Sequence, residues 1–180
     1  TERHGLHLPY CTDNFEGQAL ADLACETAHA RGAKVILLPS LPYGVDTNQM
    51  AFPLAINVNP STLNALITDI IRSVEHHGIP KFVLLNFHGG NNFNNLLREL
   101  YGQTEVFLTC INGWQVAESA TQQLFRNPGE HADEMETSLM LHLHPDLVFM
   151  EECDEGAVKA PRLKGMQEGW AWCPRPWDRV

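Results

Sequence analysis

Apolar residues recur along this chain with two periods, and stretches of each kind alternate. The segment "NFEGQALADLACETAHARG" (residues 14–32) sets Leu20, Leu23, Ala24 and Ala28 on a helical repeat that Gly32 ends. "AKVILLP" (33–39) is instead a short unbroken apolar run, the pattern of a strand buried on both faces. Residues 39–54 are rich in Pro, Gly and Asn and read as a long loop suited to substrate contacts, with "AINV" (55–58) as a further short strand. Asn59 then caps a helix that has Pro60 in its first turn and runs through "STLNALITDIIRSVEHHG" to Gly78. "KFVLLNF" and "EVFLTCIN" are two more apolar strands, separated by a histidine loop and the helix "NNLLRELYGQ". "WQVAESATQQLF" and "METSLMLHLHP" read as helices, the second stopped by Pro145, with the loop "RNPGEHADE" between them. From Asp146 the chain is turn-rich and carries Trp170, Trp172 and Trp177, read as packing residues or, for one of them, as the wall of a pocket.

Apolar strands alternating with amphipathic helices predict an α/β protein, a three-layer α/β/α sandwich with a mostly parallel sheet. Ligands in such sheets gather at the carboxyl ends of the strands. At 180 residues the chain is long enough for one domain spanning 1–180. The net charge of −10, with no basic stripe, argues against a nucleic-acid partner. No apolar run approaches the ~20 residues needed to span a bilayer, so no membrane partner is expected. The five cysteines are odd in number and form no CxxC pair, which points to a reducing, cytoplasmic setting. Metal-binding loops usually follow a strand, and a ligand-rich loop opens this sequence. A strand before Thr1 and a further segment after Val180 are therefore expected.

The opening run "TERHGLHLPYCTD" places Glu2, His4, His7 and Asp13 close together around Gly5 and Pro9. Carboxylates and imidazoles bind borderline divalent cations such as zinc or manganese without any thiolate. Glu2 and His4, two apart, point the same way in an extended segment. Asp13 follows a turn and can approach the same point, where its short carboxylate suits a bridge between two cations. Any one of these residues alone would be an ordinary polar loop residue, and His7 is left open between ligand and support. In "NFHGGNN", His88 follows an apolar strand and precedes two glycines that let the backbone pass close to a ligand. The loop lacks the spacing of a dinucleotide fingerprint and the lysine of a phosphate-binding loop. The segment "EHADEMETS" holds Glu130, His131, Asp133, Glu134 and Glu136. A helix start favours the acids, while His131, beside Pro128 and Gly129, is placed to carry protons. His29, His76, His77, His142 and His144 sit at or near helix C-termini, where capping or dipole roles suffice.

These three stretches resemble the creatininase (creatinine amidohydrolase) family. "ERHGLHLPYCTD" is similar to E-x-H-G-x-H-L-P-x-x-T-D, "NFHGGN" to N-x-H-G-G-N, and "HADEMETSLM" to H-A-G-E-x-E-T-S. The resemblance implies an α/β/α fold, a centre of two divalent ions (zinc or manganese, sometimes iron), hydrolysis of non-peptide C–N amide bonds, and homo-oligomers, commonly hexamers. By position it implies that Glu2 and His88 hold one ion, His4 the other, and Asp13 both. Creatininases proper carry a glutamate ligand two residues after the metal histidine, preceded by a substrate-touching tyrosine. Here those positions are Gly90 and Gly89, which disfavours creatinine itself. The missing ligand then falls to Glu136, or after it Glu134, a second candidate acid for the site. Family members with H-G-G-N include a deformylase of a formamido-pyrimidine and a peptide-processing enzyme of cofactor synthesis. The expected reaction is hydrolysis of a small-molecule amide, with His131 passing a proton to the departing nitrogen. The competing expectation is a binding or structural protein on the same fold whose metal site has degenerated.

Overall fold

The computed structural model describes all residues except 117, 128, 155, 157–160 and 175–180, so Pro128 and Trp177 lie outside the described residues. The elements are α1 (Thr12–Ala30), α2 (Pro60–His76), β1 (Lys81–Asn86), α3 (Asn94–Leu100), β2 (Phe107–Asn112), α4 (Gly113–Val116), α5 (Glu118–Leu124), α6 (Glu134–Leu143) and α7 (Lys164–Gln167). Two single 3₁₀ turns, Pro145–Leu147 and Met150–Glu152, follow α6, with Pro145 opening the first.

The core is built by α2 and α3 lying against the sheet. Leu63, Ile67 and Ile71 recur every four residues and so share one face of α2. They pack with Phe93, Leu96 and Leu100, and Phe82, Leu84, Leu108 and Cys110 of the strands close the cluster. Fully burying each such side chain contributes about 1.5–3 kcal/mol. β1 and β2 pair in parallel from Lys81↔Phe107 to Asn86↔Asn112, so both strands end at the same edge. There the Asn86 side-chain amide donates to Asn112 Oδ1 at 3.1 Å. His88 stands two residues beyond that edge.

The α/β class and the parallel pairing agree with the sequence pattern, but two expected strands are corrected. Residues 33–39 form no strand, and 55–58 contribute only an isolated bridge between Gly44 and Asn57. No backbone hydrogen bond joins residues 34–41 to the other described segments, and Ile36 stays 74% exposed. An apolar run becomes a strand only when a neighbour pairs with its backbone, and none of the described residues does. The apolar stripe of α1 is likewise uncovered at Leu20 and Leu23, while Thr12 and Glu16 are its buried residues. All five cysteines are unpaired thiols. No helix among the described residues is long and apolar enough to cross a membrane.

Candidate metal centre

Three segments converge at the carboxyl edge of the sheet, and local backbone devices aim their side chains. Gly5, at φ 61°, turns the opening segment back so that the Leu8 N–H reaches the His4 carbonyl. Cys11 takes the left-handed conformation at the N-cap of α1, which places Asp13 in the first helical turn rather than in the loop. In the second segment, Asn86 Oδ1 accepts from the His88 backbone N–H at 3.3 Å and from Asn91 Nδ2 at 3.2 Å, folding the loop over the strand end. In the third, Asp133 caps α6 by accepting from the N–H groups of Met135 and Glu136, which fixes Glu136 one turn in. Ala132, at φ 50°, carries the chain from His131 into that cap.

The side chains so placed form two interlocking trios. Glu2, Asp13 and His88 have ligand atoms within 4.8 Å of one another, and so do His4, Asp13 and Glu136. Asp13 belongs to both. One of its oxygens lies 2.9 Å from His4 Nε2, the other 3.0 Å from His88 Nδ1. Glu2 Oε1 is 2.7 Å from His88 Nδ1 and 3.8 Å from His4 Nε2. Glu136 Oε1 is 3.8 Å from His4 Nε2. A further trio, Glu2, His4 and His131, shares the same centre, with the His4 and His131 rings 4.1 Å apart.

Electrostatically the cluster attracts positive charge. Burial works against a charge on His88, yet the carboxylates of Asp13, Asp46 and Glu2 push it up to about 12. Burial opposes charge on His4 too, and Asp13, Glu136 and Glu2 still raise it to about 9. Asp13 resists its own burial and stays well below the usual carboxylate range through the hydrogen bonds from His4 and His88. Burial raises Glu2, and burial with the neighbouring carboxylates raises Glu136 to about 7. His131 goes the other way: burial and the nearby His4 lower it to about 4, so its ring is neutral.

The donor set fits divalent cations. Glu136 Oε2 is buried without a hydrogen-bond partner beside His4, a costly arrangement that a cation held there would relieve. Three carboxylates and two imidazoles are the ligand types that zinc and manganese accept. A family model described as "Creatininase: Creatinine amidohydrolase" matches residues 1–180. The chain belongs to the creatininase family. It is 30% identical over 170 residues to a creatinine amidohydrolase of Pseudomonas putida, covering 83% of this chain and 64% of that one. It is 27% identical over 177 residues to a mycofactocin precursor peptide peptidase of Mycobacterium ulcerans, covering 94% and 66%. The chain thus spans about two thirds of the length of these curated relatives. Among solved structures, a Bacteroides fragilis protein provisionally described as a creatinine amidohydrolase superposes with a TM-score of 0.92 at 35% identity, over 99% of this chain and 71% of that one. A creatininase variant complexed with creatine gives 0.73 at 27% identity, over 98% and 76%. Another variant described as Zn–Zn type gives 0.70 at 27% identity, over 98% and 75%. Creatininase-family proteins are hydrolases, and the shared fold is that of the creatininases.

Within this family frame, Gly90 has a structural cause. A Cβ there would collide with the Val45 carbonyl oxygen and the His88 ring, so a glutamate at that position has no room. His88 Nε2 lies 3.0 Å from the same carbonyl and 3.2 Å from Asp46 Oδ1, so loop 44–49 occupies that side of the site. Glu136 stands in the cluster, and Glu134 does not. The carboxylate of Glu134 accepts from the Arg126 and Asn127 backbone N–H groups and from Asn127 Nδ2, stapling the preceding loop to α6. That places Glu134 outside the trios, facing the loop before α6. His7 is buried outside the trios, 2.9 Å from Thr137 Oγ1, and supports the loop.

Sequence reasoning passed over Glu16, Asp46 and Gln49, all buried. Glu16 follows Asp13 by one helical turn on α1, and that spacing was its available signal. Burial, with Glu136 and Asp13 nearby, raises its carboxyl to about 9. Asp46 and Gln49 sit in a polar loop whose sequence carries no comparable mark.

Proposed function

We propose that this chain provides the catalytic centre of an amidohydrolase that uses two divalent ions, zinc or manganese with iron admissible, to cleave a non-peptide C–N amide bond. The sharing of Asp13 between two ligand trios carries this reading. Glu2, Asp13 and His88 would hold one ion, and His4, Asp13 and Glu136 the other. Bound there, the ions would polarise the substrate carbonyl and acidify a water.

The protein's own groups supply the rest. His131 Nε2 lies 2.6 Å from the Arg3 carbonyl oxygen, a contact that requires the proton on Nε2. Nδ1 is then the basic atom, and it faces Glu2 Oε1 at 3.9 Å. A neutral imidazole in that tautomer can take a proton from water at Nδ1 and hand it to the departing nitrogen. The site opens into a cavity of about 1260 Å³ lined in part by Phe93, Trp114, Met135 and Trp172. The similarity to a named peptide peptidase supports a second reading in which the scissile bond lies at the end of a peptide.

The test is a panel of amides, containing creatinine, N-formyl aminopyrimidines and short peptides, with the released amine measured. Turnover of a non-creatinine amide, abolished by a chelator and restored by zinc or manganese, is expected. Protein purified without chelators that carries no divalent metal, or metal-loaded protein inert across the panel, would overturn the enzyme reading and leave a binding protein.

A further inference from the structure

We propose that Gln49 is a positioning residue that holds Glu2 to single-oxygen ligation. This rests on the metal reading given above. Gln49 is 2% exposed, and its side chain spends its polar atoms on the centre. Its Oε1 accepts the Arg3 backbone N–H at 3.2 Å. A backbone donor can meet only the carbonyl end of the carboxamide, so the orientation of the group is settled and Nε2 faces the cluster. There Nε2 donates to Glu2 Oε2 and lies 3.2 Å from His131 Nε2.

The consequence for Glu2 is specific. Its Oε2 is engaged by the amide, while Oε1 faces His88 Nδ1 at 2.7 Å. One oxygen is therefore offered to a cation and the other is withheld, which leaves a coordination position for substrate or water. His131 is oriented without Gln49: its Nε2–H is directed to the Arg3 carbonyl at 2.6 Å, which keeps Nδ1 turned towards Glu2. The loop that carries Gln49 is itself fixed, since the Gln49 N–H donates to the Asp46 carbonyl at 3.0 Å and the Phe52 N–H to the Gln49 carbonyl at 2.8 Å. A carboxamide suits this place because it donates among carboxylates without adding charge. Hydrogen-bonding partners of metal ligands orient them and tune their affinity.

Two variants test this through metal binding rather than turnover. Gln49→Met keeps volume and removes the donor; Gln49→Asn keeps the amide but shortens it by one methylene. Zinc dissociation constants from competition with a chromophoric chelator, and visible absorption of the cobalt(II)-substituted protein, are the readouts, with circular dichroism checking the fold. Loss of such a partner typically weakens metal binding about 10–100-fold, expected here for the ion held by Glu2 and less severely in Gln49→Asn. The cobalt bands should weaken as Glu2 becomes bidentate and the coordination number rises. Folded variants with unchanged dissociation constants and an unchanged cobalt spectrum would overturn the role. Failure of both variants to fold would make Gln49 a packing residue and overturn it equally. Wild-type protein that binds no zinc would sink the proposed function instead, so the two failures are distinguishable.

Discussion

Replacing Asp13 with alanine should disturb two metal sites at once, because its two oxygens face different histidines at 2.9 and 3.0 Å. No other residue belongs to both the trio with His88 and the trio with Glu136. A four-ligand zinc site carries about 10–16 kcal/mol of binding free energy, so one ligand accounts for roughly 3–4 kcal/mol, or about 10²-fold or more in the dissociation constant. Asp13→Ala removes a ligand from both ions and should weaken both by that factor. His88→Ala and Glu136→Ala each remove a ligand from one trio and should leave one ion near its wild-type affinity. The helix should survive, since the lost charge near its N-terminus contributes only about 0.3–1 kcal/mol. Elemental analysis after gel filtration gives stoichiometry, and chelator competition gives the two constants. Asp13→Ala retaining one ion at wild-type affinity would refute the shared-ligand assignment. So would His88→Ala weakening both ions equally.

Other expectations bear on the fold and the neighbouring loop. Ile67→Ala, at a position 2% exposed in the core, should cost about 2–5 kcal/mol in denaturant unfolding. Ile36→Ala, at 74% exposure, should change stability by less than about 0.5 kcal/mol, and a comparable loss there would show that residues 33–39 pack against a partner. Gly90→Ala should drive its methyl group into Val45 and the His88 ring, weakening the His88 site by at least about tenfold on the scale of outer-shell changes, and wild-type zinc affinity would contradict this. Glu75 accepts from Thr104 Oγ1 at 2.7 Å and from the Glu105 N–H at 2.8 Å, which lowers its carboxyl below 4.5. A depressed folded pKa stabilises above the unfolded value and fades as pH falls through the folded one. The melting-temperature gap between wild type and Glu75→Ala should accordingly be full at pH 6 and shrink below about pH 4.5, and a gap that widens on acidification would reverse the assignment.

What the sequence made legible follows physical range. The opening loop, His88 and the start of α6 stood out because ligand-type side chains cluster locally and glycines mark close backbone approaches. The buried face of α2 was readable from its four-residue repeat at Leu63, Ile67 and Ile71. Residues 33–39 show the limit of such patterns. Their apolarity states a preference for burial, but a strand requires a neighbouring backbone, and that is not encoded in the run itself. Glu134 and Glu136 look alike in sequence, two residues apart on a helix start. Their difference lies in which side of α6 faces Asn127 and which faces His4. Gln49 was illegible for another reason. It shares a polar loop with Asp46, Thr47 and Asn48, and its role is set by contacts to Arg3 and Glu2, 46 and 47 residues away.

The central claim is a centre for two ions bridged by Asp13, and anomalous diffraction at the zinc absorption edge tests it most directly. Crystals of zinc-loaded protein should show two peaks about 3.5–4 Å apart, the separation of two-metal sites. One peak should touch Glu2, Asp13 and His88, and the other His4, Asp13 and Glu136. A single peak, or two peaks of which only one contacts Asp13, would contradict the account.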